Sequence, residues 1–273
     1  MQRLNKIGVQ LYTIRDFMKT EEDIKVSFEK LKKLGYDEVQ TAGCAVPYDV
    51  FGRLAREAGL TIVGTHDNFD KMYSETELMM DNHDLLGTKI MGIGGCFKQT
   101  AEEYAEFIAR VNELAKRIRA RGFCFTYHNH SHEFRRVGGK LIMDMLLEGM
   151  DPENTGFVLD TYWVQHGGGD VREWIERCKG RVDILHLKDM AKSETNEPPQ
   201  FITEIGNGNL YWQGIIETAI NTGVKHFVVE QDTCPGDPFE SLKQSSAYLH
   251  ANKSIAFLMS AEVVLVAQYD ASR

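Results

Sequence analysis

Four stretches of this chain end an apolar, β-prone run in side chains that can ligate a metal or move a proton. They are Tyr127-His128-Asn129-His130 with Glu133 close behind, Leu159-Asp160, Leu185-His186-Leu187-Lys188-Asp189, and Val229-Glu230-Gln231-Asp232. Carboxylate oxygens suit hard or borderline divalent ions, and imidazole joins them more readily on Mn2+, Co2+ or Zn2+ than on Mg2+. Asp160, His186 and Glu230 supply such a mixed set. Side chains alternate across a strand, so Val158 shares a face with Asp160, Ile184 with His186 and Val228 with Glu230. The three parities agree, and the expectation is one inward-facing metal site.

Ligands on separate strand ends require a fold that gathers those ends at one mouth. Short β-rich runs are expected at 6–12, 38–41, 61–65, 89–93, 123–128, 156–160, 182–188 and 226–231. Between them lie helical patterns such as 21–34, with Ile24, Phe28, Leu31 and Leu34, and 101–121, with Tyr104, Phe107, Ile108, Val111 and Leu114. Gly35, Gly59, Gly122 and Gly223 fall at helix ends, where a left-handed cap is wanted. Strands alternating with helices predict a parallel sheet covered on both faces, and eight of them predict closure into a (β/α)8 TIM barrel.

A length of 273 residues lies close to the roughly 250 of a typical barrel, so one domain is expected over 1–273. The apolar run at 255–267 is too short to span a bilayer, which takes about 20 residues; it is read as an extra helix over about 254–268 that packs or meets a second subunit in a homo-oligomer. The formal charge of -9 disfavours nucleic acid and anionic membrane surfaces as partners. The first residues show no secretory pattern, so a cytoplasmic protein is expected. Five scattered cysteines without a Cys-x-x-Cys pair read as reduced thiols.

These residues resemble the sugar phosphate isomerase/epimerase group of xylose isomerase-like TIM barrels, relatives of inosose dehydratase and the ketose 3-epimerases. The resemblance runs from Ile7-Gly8-Val9-Gln10-Leu11-Tyr12 through Gly35-Tyr36-Asp37-Glu38-Val39 and Tyr127-His128-Asn129-His130 to Leu159-Asp160-Thr161-Tyr162-Trp163, His186-Leu187-Lys188-Asp189 and Gly206-Asn207-Gly208. It implies one divalent ion, Mn2+ with Mg2+, Co2+ or Zn2+ as alternatives, held by a strand-five Glu and by Asp160, His186 and Glu230. This chain departs from that pattern at strand five, where His128 and His130 stand in place of the Glu and Glu133 is the nearest carboxylate. Either His128 has replaced the carboxylate or Glu133 reaches back. The implied reaction is proton abstraction beside a carbonyl of a ketose or keto-sugar, through an enediolate stabilised by the metal. Glu230, Glu133, His128 and Lys188 are the candidate acid/base groups. Isomerase or epimerase is the first reading, and a dehydratase or lyase on a keto-cyclitol or keto-glycoside is the alternative.

Further candidates surround that centre. His66, at the end of the third strand, and His130 are read as binding substrate hydroxyls. Trp163, Tyr12 and Trp212 are candidates to stack on a sugar ring. Lys188 shares the inward face of His186, positioned for an anionic oxygen. His132 is expected in solvent. The long stretch at 190–208 reads as a functional loop, and its Gly206-Asn207-Gly208 turn resembles a phosphate cradle only weakly. Few cations near the strand ends favour a neutral polyhydroxylated ketone. Two other classes share these features: an apurinic-site endonuclease-like hydrolase, which the acidic balance disfavours, and a non-catalytic sugar-binding barrel.

Overall fold

The computed structural model describes residues 6–195 and 197–252. Eight strands form the central sheet: β1 Ile7–Gln10, β2 Glu38–Thr41, β3 Thr61–Thr65, β4 Ile90–Ile93, β5 Cys124–His128, β6 Thr155–Asp160, β7 Val182–Leu187 and β8 His226–Val229. Their order is β3-β2-β1-β8-β7-β6-β5-β4, every laddered neighbour parallel. The ends of that order meet at β3 and β4, where the Asp67 N–H donates to Gly92 O at 2.8 Å. A Cβ on Gly92 would fall 2.4 Å from Thr65 O, so the approach that closes the (β/α)8 barrel requires glycine there.

Helices alternate with the strands and cover the sheet. Glu21–Lys33 and Ala101–Arg119 each begin in a reciprocal capping box, Thr20 with Asp23 and Thr100 with Glu103. Their apolar stripes, including Ile24, Phe28 and Leu31 on the first and Tyr104, Val111 and Leu114 on the second, are buried in the shell between helices and sheet. Gly35, Gly59, Gly122 and Gly223 all take positive φ. Inside the barrel a separate plug of Val63, Val158, Ile184 and Val228, packed with Ile90, fills the lumen. Val158, Ile184 and Val228 are the inward positions two residues before Asp160, His186 and Glu230. The plug therefore forms the floor on which the polar residues stand.

Several elements differ from the sequence expectation. β1 stops at Gln10 because its side chain accepts the Tyr12 N–H and starts a 3-10 turn, Leu11–Phe17; Tyr12 lies beyond the strand, exposed. The stretch 190–208 is not a structureless loop. Asp189–Lys192 pairs antiparallel with Gln200–Thr203, and the Asp189 carboxylate then gathers the chain that follows. It accepts from Gly206 N at 2.9 Å, Gly208 N at 3.2 Å, Leu210 N at 3.3 Å and Trp212 Nε1 at 2.7 Å. The glycine turn thus already holds an anion, a carboxylate from its own chain, and the weak phosphate resemblance is corrected. The helix expected over about 254–268 lies outside the described residues.

Candidate metal centre

Strand geometry brings His128, Asp160, His186 and Glu230 to the C-terminal mouth of the barrel, all four buried, with one ligand-type atom of each within 4.8 Å of all the others. Asp160 ends β6 and caps the helix Thr161–His166. Its Oδ1 accepts the Trp163 N–H at 2.9 Å, which leaves Oδ2 for the mouth. Its own N–H donates to Asn129 Oδ1 at 2.9 Å, so buried Asn129 fixes the strand end. His128 Nε2 is 3.4 Å from Asp160 Oδ2, and His186 Nδ1 is 2.8 Å from Glu230 Oε2.

Lys188 enters the same space. Its ammonium, 1 % exposed as a side chain, stands 2.9 Å from Asp160 Oδ2, 2.9 Å from Glu230 Oε2 and 3.0 Å from Asp232 Oδ1. Burial alone would push the Lys188 ammonium down, but the three carboxylates overcome it and hold it above the usual lysine range. Burial would likewise raise Glu230 and Asp160, yet Lys188 and the neighbouring imidazoles keep both carboxyls below theirs. Asp232, nearer solvent, is lifted by burial to about 6.

The donor set fits a divalent cation. Asp160, Glu230 and Asp232 outnumber Lys188 by two negative charges, and a protonated His186 would still leave one in excess, an imbalance that is costly in a buried site without a counter-charge. His186 Nε2 lies 2.5 Å from Gln40 Oε1, a carbonyl oxygen that can only accept. The ring proton is therefore on Nε2, and in the neutral ring the lone pair of Nδ1 faces the carboxylates. His128 Nδ1 is buried without a hydrogen-bond partner among the described residues. Glu230 and Asp160 raise the His186 imidazole despite its burial, so binding a cation there would release a proton.

A cavity of about 600 Å³ opens over this group, lined by Tyr12, Arg15, His66, Phe97, His130 and Asp232 among others. His66 Nε2, His130 Nδ1 and Trp163 Nε1 are buried beside it without hydrogen-bond partners among the described residues. Burial lowers His66 well below the usual imidazole range and takes His130 to about 3, so both are neutral at physiological pH. The Trp163 ring lies 5.3 Å from the His130 ring and the same distance from the Lys188 ammonium.

Three expected residues take other places. The Glu133 carboxylate does not join the four-residue group. It accepts from Tyr127 OH at 2.7 Å and His130 N at 2.8 Å, buried beneath the β5 loop. His132 is not in solvent. Its Nε2 bonds Cys96 O at 2.9 Å and its ring stacks on Phe97 at 4.1 Å. Trp212 is buried on Asp189, out of reach of a sugar. Sequence reasoning missed Gln10, Gln40 and Arg15. The only signal for the glutamines was their place at matching positions near the ends of the first two strands.

The comparisons with known proteins agree with this architecture. Residues 28–251 match the family described as xylose isomerase-like TIM barrel, and the chain belongs to that family. An inosose dehydratase of Mesomycoplasma hyopneumoniae (strain 7448) is 23% identical over 168 residues, which are 56% of this chain and 55% of the relative. The chain thus spans about half the length of that curated relative. A sugar phosphate isomerase/epimerase from Parabacteroides distasonis ATCC 8503 superposes with a TM-score of 0.78 at 23% identity, covering 92% of this chain and 95% of the other. A xylose isomerase-like TIM barrel protein from Mycobacterium smegmatis, in complex with magnesium, reaches 0.72 at 14% identity, covering 95% and 99%. Epimerases and dehydratases both occur among the similar proteins. No helix among the described residues is long and apolar enough to cross a membrane.

Proposed function

We propose that the chain is a divalent-metal-dependent enzyme that removes a proton beside the carbonyl of a ketose or keto-sugar, acting as an isomerase or epimerase. The observation that carries this reading is the buried His128, Asp160, His186 and Glu230 group, with atoms within 4.8 Å of one another beneath the cavity. Those four residues would hold the ion, Mn2+ by preference because two imidazoles share the set with two carboxylates; the magnesium in the Mycobacterium smegmatis relative marks Mg2+ as the alternative. A divalent ion supplies Lewis-acid polarisation of the carbonyl and neutralises charge that develops on its oxygen.

The remaining work falls to the chain. The Glu230 carboxylate, kept ionised by Lys188 and His186, accepts the carbon-bound proton. Lys188, within 3.0 Å of three carboxylates, holds them in place and lends positive charge to the enediolate. His66, His130 and Trp163 direct unsatisfied polar atoms at substrate oxygens, and the exposed rings of Tyr12 and Phe97 offer apolar faces. Arg15 and Lys188 are outnumbered in the cavity wall by Asp67, Glu230 and Asp232, which supports a neutral polyhydroxylated substrate. The second reading, dehydration of a keto-cyclitol, is supported by the inosose dehydratase relative and by His128 in place of a strand-five carboxylate.

Exchange of the carbon-bound hydrogen with solvent deuterium, followed by NMR over free ketoses, keto-glycosides and inososes with Mn2+ present, tests the proposal. Inversion means epimerase, a moved carbonyl means isomerase, and loss of water means dehydratase. No exchange with any of them, in protein shown to bind the ion, would refute it.

A further inference from the structure

Two histidines at the mouth are tied to glutamines of opposite polarity. Gln40 offers its carbonyl oxygen to His186 Nε2. Gln10 offers the other end of its amide: its Nε2 lies 3.3 Å from His66 Nδ1. The orientation of the Gln10 amide is fixed independently, because its Oε1 accepts the Tyr12 backbone N–H at 3.3 Å, and a backbone N–H can only donate. With the NH2 group facing the ring, Nδ1 must accept, and the proton of the neutral imidazole sits on Nε2.

That Nε2 is buried and without a hydrogen-bond acceptor among the described residues. His66 lines the cavity with His128 and Glu230, and its ring centroid is 4.9 Å from that of His128 and 5.6 Å from that of His186. The opposite tautomer would turn a lone pair toward the site and make His66 one more ligand. As held, His66 presents an N–H beside the cluster, and an oxygen acceptor has to come from the substrate.

We infer that His66 is a catalytic residue whose Nε2–H donates to the substrate oxygen on which negative charge develops, and that Gln10 is the positioning residue that sets this tautomer. The inference rests on the reaction proposed above. A donor fixed before substrate arrives stabilises the developing charge without reorganising. The same arrangement explains why His66, among three neighbouring imidazoles, is kept apart from the ligand group.

The tautomer is read directly by long-range 1H–15N correlation on the full chain, 15N-labelled at histidine and free of metal and substrate. The expected result is a His66 pattern with the proton on Nε2. Gln10→Glu exchanges the donor for an acceptor of nearly the same shape and is expected to move the proton to Nδ1, while Gln10→Ala leaves a mixture of the two. With Mn2+ and an inosose or a free ketohexose, Gln10→Glu and His66→Leu are expected to lower kcat for deuterium exchange about 10²–10³-fold with KM changed only a few-fold. His66→Gln, which keeps an N–H donor, is expected to recover part of that loss. A wild-type His66 protonated on Nδ1, or a His66→Leu variant with wild-type kcat, overturns the inference even where exchange occurs. Absence of exchange in the wild type with every ketone overturns the proposed function and the catalytic role together, and the NMR result shows which part of the argument survives.

Discussion

Lys188 Nζ and Glu230 Oε2 are 2.9 Å apart in a site from which solvent is almost excluded, and the same ammonium reaches Asp160 Oδ2 at the same distance. The side chain thus bridges two of the four residues that form the candidate ion site, as a partial counter-charge built into the chain. One cation against three carboxylates leaves the cluster short of neutrality, and a divalent ion would complete it.

Replacing Lys188 by Met, which keeps most of the length and removes the charge, should therefore act differently with and without metal. Breaking a buried ion pair typically costs about 3–5 kcal/mol. Urea unfolding in chelator should show a loss of that order, and Mn2+ should restore most of it by binding the variant at least as tightly as the wild type. Equal destabilisation in both conditions would mean that no ion shares the carboxylates.

Gln40 hydrogen-bonds the proposed site through His186. Gln40→Leu removes the acceptor that keeps the proton on Nε2, and losses of this kind lower metal affinity about 10–100-fold. Isothermal titration with Mn2+ measures it. An unchanged affinity would remove His186 Nδ1 from the ligand set.

Glu230→Gln preserves shape and abolishes the proposed base. The rate of deuterium exchange should drop about 10²–10⁴-fold, the usual contribution of a general base, with the circular dichroism spectrum unchanged. Turnover close to wild type would shift the role to Asp232, which shares Lys188 from the cavity wall.

Glu133 should make stability depend on pH with an unusual sign. Burial lifts its carboxyl from 4.5 to about 8 in the folded chain, so the folded state retains a proton that the unfolded state has lost. Stability should then fall as pH rises from about 4.5 to about 8 and level off above. Glu133→Gln mimics the protonated acid, and urea midpoints measured across that window should lose most of this slope. A slope as steep as that of the wild type would show that other groups carry it.

The eight-strand rhythm, the helix ends and the shared inward face of Asp160, His186 and Glu230 were legible in the amino-acid sequence, because period-2 and period-3.6 patterns are local and survive in one dimension. The identity of the ring of strand-end residues follows from the same parity. Other features depend on where separate segments meet, and only the tertiary structure decided them. Gln10 and Gln40 read as ordinary strand polars until the barrel sets them against His66 and His186, 56 and 146 residues away in sequence. The weak phosphate reading of Gly206-Asn207-Gly208 failed because Asp189, from the preceding strand pair, takes its N–H groups. Glu133 and Trp212, chemically plausible at the mouth, are drawn elsewhere by Tyr127 and Asp189. A buried polar group must find its partner in space, and that partner is fixed by strand order and loop closure, which the sequence carries only implicitly.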